Sequence, residues 1–507
     1  MILSITLALL FAGLLLVALN NTEIPEIPIY ILSGLLLKGF TVLATSQGWV
    51  SHAFVETEIM TELALLGLGI LVFYSASGTV FDRKRNTSIT SFKTALWLSG
   101  ISFAGFTGLS LFTGFSIYES VLFGVAASIG STLMDSNLVK EEARKNHVYG
   151  WLTEDINLYD DIFGVVVLAT LFSIISGIGG LQGLLAAFTV MVVAGVLRDT
   201  FSKGLLKITG SENELVLLSG ITTLIAMVWI TESMGISAIA GIYAAGLILA
   251  DTELGFMVRE RFSAVKDFFT ALSFFAVGYL LVIPSYNYLG MTVALVIFSS
   301  VLRPLLSSLA LRLQGYDLRT GFMASIQSAQ ISELVLIASI LMIPFTGSSI
   351  FEALTIAFTA SIIISHLVED WENLIFETLF SDYELDSEKT DLPAELKNHA
   401  IIAGYDWKSR GLEKAIDVQA VVVDYDLENI EEAEHQGIPH LLADLNSDRT
   451  WEKLNVEKAS VIVTAIEDEK LLEKIKGLDT DAEKVLAKED SEQIHEELRE
   501  MLSQALN

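Results

Sequence analysis

From residue 1 to about 370 the chain is a succession of apolar runs; beyond that the runs shorten and alternate with charge. A membrane-crossing helix needs about 20 mainly apolar residues. On that measure thirteen spans are expected, at roughly 2–19, 27–45, 61–80, 91–112, 117–138, 152–176, 181–200, 214–233, 236–251, 264–283, 288–311, 320–343 and 350–368. The first run, MILSITLALLFAGLLLVALN, has no basic leader and no small-residue cleavage site, so it reads as a retained helix. After a polar linker come five short apolar stretches, HAIIAGY, AVVVDYD, PHLLAD, SVIVTAI and EKVLAK. Amphipathic segments near 409–416, 427–436, 448–454, 467–476 and 490–504 alternate with them. Such alternation predicts a doubly wound parallel sheet. The expected architecture is a polytopic α-helical membrane domain over 1–371, a linker over 372–396 and a Rossmann-like α/β domain over 397–507.

Charge gives the spans a direction. Of seventeen Lys and Arg before position 381, fourteen fall after spans 3, 5, 7, 9 and 11, as in Arg83, Lys84 and Arg85, and none falls after the even-numbered spans 2 to 12. By the positive-inside rule the odd connections are cytoplasmic, which puts the N-terminus outside and the tail inside the cell membrane. Composition agrees with a membrane protein: 52% of residues are hydrophobic, with a mean hydropathy of +0.56. There is no cysteine, which excludes disulfides, thiol catalysis and Cys-ligated metals. Net charge is −30, and the 32 acidic and 14 basic residues from Ser381 onward argue against nucleic acid as a partner.

Two adjacent aspartates, Asp160 and Asp161, interrupt the apolar run INLYDDIFGVVVLATLFSII. An ionised Asp at a bilayer centre costs roughly 2.5–3.5 kcal/mol even on the lower scales. Two side by side repel each other, so one is expected to exchange protons readily. Such a pair persists only where water, a cation or a proton reaches it, which points to ion movement. Two further stretches are too polar for ordinary spans and resemble each other. Ala127-Ser128-Ile129-Gly130-Ser131-Thr132, continuing to Asp135, lies in span 5, and Ala324-Ser325-Ile326-Gln327-Ser328-Ala329, continuing to Gln330, Ser332 and Glu333, lies in span 12. Matching interruptions in two halves predict an inverted repeat with two broken crossing helices, whose unwound carbonyls line a cavity. Ser128 and Ser325 taken singly are better read as helix-packing residues.

At these residues the chain resembles the monovalent cation:proton antiporter-2 family, the Na⁺/H⁺-exchanger and Kef-type group. The likeness runs in order through MTELALLGLGILVFYSASGTVFD, NLYDDIFGVVVLA, ENELVLLSGITTLIAMVWITESMGISAIAGIYAAGLIL, KDFFTALSFFAVGYLL and SIQSAQISELVLI. It implies a 13-span Na⁺/H⁺ antiporter fold, a homodimer built on spans 1–3 and 8–10, and a core of spans 4–6 and 11–13 that moves like an elevator. It implies secondary exchange of Na⁺, or K⁺, for H⁺ across the plasma membrane, and no enzyme activity. Asp161 matches the family's essential carboxylate, with Asp160, Thr132, Ser131 and backbone carbonyls as further oxygen ligands for a monovalent metal cation. Arg303, where the group commonly has Lys, is expected to pair with Asp160 or else Glu333, with Gln330, Ser332 and Asp135 as supporting groups. If Arg303 holds Asp160, exchange becomes electroneutral, because arginine stays protonated where a buried lysine need not. Lys38 is expected to snorkel to the outer surface, and Glu154 and Asp155 read as solvated helix-end charges.

The tail resembles the TrkA-N (RCK-like) domain. That family's three-glycine turn is eroded to Gly404, Asp406 and Ser409, while Asp424 matches the ribose-binding acid and Asp444 a further acidic position. A regulatory or dimerising domain without NAD is therefore expected, with nucleotide sensing as the alternative. The rival functions are a ligand-gated Kef-like K⁺/H⁺ antiporter, a K⁺ channel, disfavoured because no TVGYG-type filter is present, and a non-transporting sensor.

Overall fold

In the computed structural model the chain divides into two compact units, one of residues 1–136, 153–306 and 325–371 and one of residues 137–152, 307–324 and 372–507. The structure describes residues 2–19, 24–48, 55–79, 87–130, 148–209, 213–282, 286–314, 316, 318–369, 371, 375, 390–393, 395–405, 409–415, 418–424, 427–443, 445, 448–464, 466 and 469–486.

Before residue 372 the described secondary structure is almost entirely helical: α1 (Ile2–Leu19), α2 (Glu26–Ser46), α3 (Thr57–Ser77), α4 (Thr87–Phe112), α5 (Ile117–Ser128), α6 (Val148–Ile175), α7 (Gly180–Thr209), α8 (Asn213–Ser233) and α9 (Ala238–Leu247). After these come α10 (Glu253–Leu280), α11 (Tyr286–Ile297), a π-helical turn (Phe298–Leu302), α12 (Arg303–Arg312), α13 (Leu318–Gln327), α14 (Leu334–Thr346) and α15 (Ser349–Glu369). Among the described residues, eight helices are long and apolar enough to cross a membrane, and α5, α9 and α14 are shorter apolar helices.

Several expected boundaries move, two of them at capped helix starts. The stretch expected at 264–283 starts at Glu253, because the Thr252 hydroxyl accepts the Gly255 N–H at 3.0 Å. Arg259, Arg261 and Lys266 therefore ride on a helix rather than in a connection. The stretch expected at 236–251 contains only the ten residues of α9, opened by Ser237, whose hydroxyl accepts from Ile239 N at 3.2 Å. The start of α5 is a capping box: Glu119 Oε2 accepts from Ser116 N at 2.8 Å while Ser116 Oγ accepts from Glu119 N. Helices α2 and α10 cross at backbone contact, since a Cβ at Gly34 would lie 2.0 Å from Phe275 O. Small residues permit such approach where lipid supplies no hydrophobic drive between helices.

The two polar stretches are breaks. Helix α5 stops at Ser128, Ile129 turns extended (φ −112, ψ 131), and Gly130 forms an isolated antiparallel bridge with Ile331, within the non-helical segment 328–333 between α13 and α14. The breaks expected within 117–138 and 320–343 thus fall where Ser, Gly and Gln replace apolar residues, with residues 131–138 outside the described residues.

The second unit holds a six-stranded sheet of order β1-β4-β3-β2-β5-β6: β1 (Thr390–Asp391), β2 (His399–Ala403), β3 (Ala420–Asp424), β4 (His440–Leu442), β5 (Ala459–Thr464) and β6 (Glu483–Leu486). All neighbours are parallel except β1, which runs antiparallel to β4. Helices α16 (Leu427–His435), α17 (Asp448–Lys453) and α18 (Glu469–Gly477) alternate with the strands. Both faces are covered: Ile401 and Ala403 of β2 enter one core, Ala400 and Ile402 the other. That is why these strands read as unbroken apolar runs. The linker expected at 372–396 is partly structural, because Thr390 and Asp391 add the edge strand and Leu396 is buried. The helix expected at 490–504 lies outside the described residues.

Candidate functional site

Helix α6 carries Asp160 and Asp161 on adjacent positions, about 100° apart around the helix, so the two carboxylates meet different surroundings. Asp160 is fully buried and paired with the Arg303 guanidinium. Ser99 Oγ, from α4, lies within hydrogen-bond distance of Asp160 Oδ1 and 3.0 Å from Ser128 O. Arg303 also donates through Nη2 to Ser128 O at 3.2 Å and through Nη1 to Ser328 O at 3.1 Å. Those oxygens end α5 and follow α13, so one guanidinium neutralises Asp160 and satisfies the negative ends of two interrupted helices. Arginine's rigid fork suits the task; a lysine ammonium is a single point.

The chain delivers Arg303 there by a local device. The π turn Phe298–Leu302 directly precedes it, and Pro304 follows. Proline cannot donate to the helical ladder, and single π turns inside helices are frequent at functional sites. Gly130 supplies the room: a Cβ there would lie 2.8 Å from Arg303 Nη1, 2.9 Å from Asn157 Oδ1 and 2.9 Å from Ser328 O.

Asp161 is different. It is half-buried, and its Oδ1 has no hydrogen-bond partner among the described residues. The Ser332 hydroxyl lies beside its carboxyl, with Glu333 in electrostatic range. Tyr243 of α9, nearly fully buried, is in range of both Asp161 and Glu333. Gln330 donates through Nε2 to Ser365 Oγ at 3.1 Å, while its Oε1 is buried without a partner among the described residues. Ser332 Oγ also accepts from Leu334 N at 3.3 Å, at the start of α14. Of the residues singled out in the sequence, the structure brings Asp160 against Arg303 and Asp161 near Ser332 and Glu333, while Gln330 bonds to Ser365. Ser131, Thr132 and Asp135 lie outside the described residues.

Two participants escaped the sequence reading. Asn157 is 1% exposed, yet neither its Oδ1 nor its Nδ2 has a hydrogen-bond partner among the described residues. A buried amide left unsatisfied costs about 1–3 kcal/mol. Its position four residues before Asp161, on the same helix face, was the available signal. Ser99 gave no signal, because a serine in an apolar helix normally bonds its own backbone.

Lys38 of α2 is half-buried. Its Nζ donates to Leu280 O and Leu281 O, both at 3.1 Å. It closes the carbonyl end of α10, where a cation is favoured. Glu154 and Asp155 are half-buried on α6.

In the sheet domain, Gly404 has φ +86 and follows β2. Asp424, at the end of β3, is buried, and its Oδ2 accepts from Tyr405 N at 2.6 Å and Asn429 Nδ2 at 3.0 Å. Asn429 in turn accepts from Arg410. A carboxylate committed in this way is a structural brace for the turn after β2. Asp406 and Asp444 lie outside the described residues.

The model of the transmembrane sodium/hydrogen exchanger family matches residues 5–369, and that of the TrkA-N domain matches residues 400–505. YbaL of Escherichia coli (strain K12), by its name a candidate cation/proton antiporter, is 24% identical over 487 residues, 88% of this chain and 83% of that one. K(+) efflux antiporter 5 of Arabidopsis thaliana is 23% identical over 244 residues, 45% of this chain. That match spans 42% of the Arabidopsis protein, less than half its length. The solved sodium proton antiporter MjNhaP1 of Methanocaldococcus jannaschii superposes with a TM-score of 0.53 at 18% identity, covering 75% of this chain and 97% of that one. At that identity the likeness establishes the fold alone.

Proposed function

Because the chain belongs to the sodium/hydrogen exchanger family, we propose that it is a secondary antiporter exchanging a monovalent cation, K⁺ or Na⁺, for H⁺. Asp161 is the exchange carboxylate: cation and proton compete for it, so alternation needs no separate gate. The observation that carries this reading is the contrast between neighbours, Asp160 fully engaged and Asp161 with an unpartnered oxygen. Asn157, Ser332 and carbonyls at the breaks supply the neutral oxygens that a hard cation prefers. Ser131 and Thr132 complete the ligand set expected from the sequence, whereas Asp160, expected there as well, is taken up by Arg303 and Ser99.

Asp160 held by Arg303 favours one cation per proton. Arginine keeps its proton across the physiological range, so the pair contributes charge balance and architecture rather than a second transported proton. This supports the Kef-like K⁺/H⁺ reading over an electrogenic Na⁺/H⁺ one. In the same reading the protein is a homodimer of thirteen spans in an inverted repeat, with its N-terminus outside and an elevator-like core. The sheet domain is cytoplasmic and regulatory. It works without NAD, because Asp424 is committed to Tyr405 N and Asn429 and the glycine turn has become Asp406 and Ser409.

Proton movement driven by Na⁺, K⁺ or Li⁺ in proteoliposomes, with membrane potential clamped and unclamped, tests both parts. Cation-driven movement indifferent to potential is the expected result. Movement that follows potential would refute the one-for-one stoichiometry alone, and no movement with any cation, in the full chain and after deletion beyond about residue 380, would refute the antiporter reading.

A further inference from the structure

A parallel sheet presents two rims. The carboxyl rim carries Gly404 and Asp424, where nucleotides bind in doubly wound folds. The amino rim is also shaped. Here the segment leading into β2 and the segment leading into β5 line an open surface cavity of about 280 Å³, whose lining includes Lys397, Lys453, Lys458, Glu395 and Asn455.

The walls are tied together by backbone. Asn398 N donates to Lys458 O at 2.9 Å, and Lys458 N donates to Asn455 O at 2.8 Å. Asn455 Nδ2 donates to Leu396 O at 3.2 Å. Asn398 (φ 49) and Asn455 (φ 52) both take the left-handed conformation, which Asn tolerates better than most residues. These turns hold Lys397 and Lys458 over the same space.

The charge is anomalous for its setting. From Ser381 onward the chain carries 32 acidic and 14 basic residues, yet three ammonium groups and one carboxylate share this cavity. Glu395 reaches Lys397 at 2.7 Å, but both side chains are largely exposed, at 76% and 64%. An exposed pair of that kind is nearly neutral in energy. Lys458 Nζ has no hydrogen-bond or ion-pair partner among the described residues. Like charges within a screening length of about 8–10 Å repel, and an anion among them relieves the repulsion.

We propose that this cavity binds a small phosphate-bearing anion through Lys397, Lys453 and Lys458. Lysine suits the role, because a mobile ammonium grips phosphate as a point charge without fixed geometry. The site is separate from the nucleotide crevice of the TrkA-N match. Lys453 and Lys458 lie within that match and Lys397 just before it, but all three sit at the amino rim, and the five residues of β2 put roughly 16 Å between the two rims. The proposal is independent of the transport reading, since binding is measured directly.

The test is calorimetric titration of the purified full-length chain with magnesium-free ADP and, separately, with inorganic pyrophosphate. At least one is expected to bind, at least tenfold more weakly to Lys453→Glu/Lys458→Glu and unchanged to Asp424→Asn. Both lysines are exposed, so their reversal leaves the domain folded. Pyrophosphate binding without ADP binding would support the site and exclude a nucleotide as its occupant. Binding that survives the double lysine reversal, binding lost only in Asp424→Asn, or no binding of either anion would overturn the proposal.

Discussion

Replacing Arg303 by methionine is the perturbation that most directly probes how the breaks are held together. It leaves the Asp160 carboxylate fully buried without its cation and removes the donor to Ser128 O and Ser328 O. Breaking a buried pair by deleting one partner costs about 3–5 kcal/mol, chiefly because the remaining charge is uncompensated. Asp160→Asn strands the guanidinium instead and should cost a similar amount. The double variant Asp160→Asn/Arg303→Met has no stranded charge. Its loss should shrink to the two carbonyls, about 1–3 kcal/mol each where nothing replaces the donor. Equilibrium unfolding of the four purified proteins in one detergent gives the cycle, and a coupling of roughly 3 kcal/mol or more is expected. Additive losses, with coupling below about 0.5 kcal/mol, would show that the pair does not operate as a unit.

Other consequences can be checked separately. Asp161→Asn should abolish cation-driven proton movement in proteoliposomes while leaving the unfolding midpoint nearly unchanged, because Oδ1 has no partner to lose; retained exchange would refute the site. Asn157→Leu should move two readouts in opposite directions. Stability should hold or rise by up to about 1–3 kcal/mol as an unsatisfied amide disappears, while the cation concentration for half-maximal exchange should rise at least tenfold. Gly130→Ala places a methyl 2.8 Å from Arg303 Nη1; it should destabilise by about 1–3 kcal/mol, and an unchanged midpoint would mean the crossing has slack. Burial pushes His399 below its ordinary value of 6.5, with its Nδ1 unpartnered. Its neutral form is therefore the one the fold prefers. The associated stability is complete above pH 6.5 and lost as pH falls through the lower folded value. Unfolding of the sheet domain followed from pH 7.5 down to about 5 should show this slope, and His399→Gln should flatten it.

Much of this architecture was written in local pattern. Apolar runs of bilayer length specify helices whatever packs around them, since lipid forbids an unsatisfied backbone. The sheet was equally plain: HAIIAGY, AVVVDYD and SVIVTAI became β2, β3 and β5 because central strands buried on both faces must be apolar throughout. The edge strand Thr390–Asp391 was not legible, because two polar residues pairing with β4 carry no pattern of their own.

The candidate site divides along the same line. That Asp160, Asp161 and Arg303 had to be compensated followed from the sequence, because isolated charges in a bilayer are too costly to stand alone. Which aspartate is compensated did not. Neighbours on a helix point about 100° apart, and only the packing of α4, α5, α12 and the 328–333 segment against α6 turns Asp160 onto Arg303 and Ser99. The same packing leaves Asp161 facing Ser332 and Glu333, and Asn157 beside Gly130. Those contacts join residues up to 175 positions apart. Residue type sets the demand for a partner locally, whereas the identity of the partner is a property of long-range geometry, which neither composition nor spacing contains.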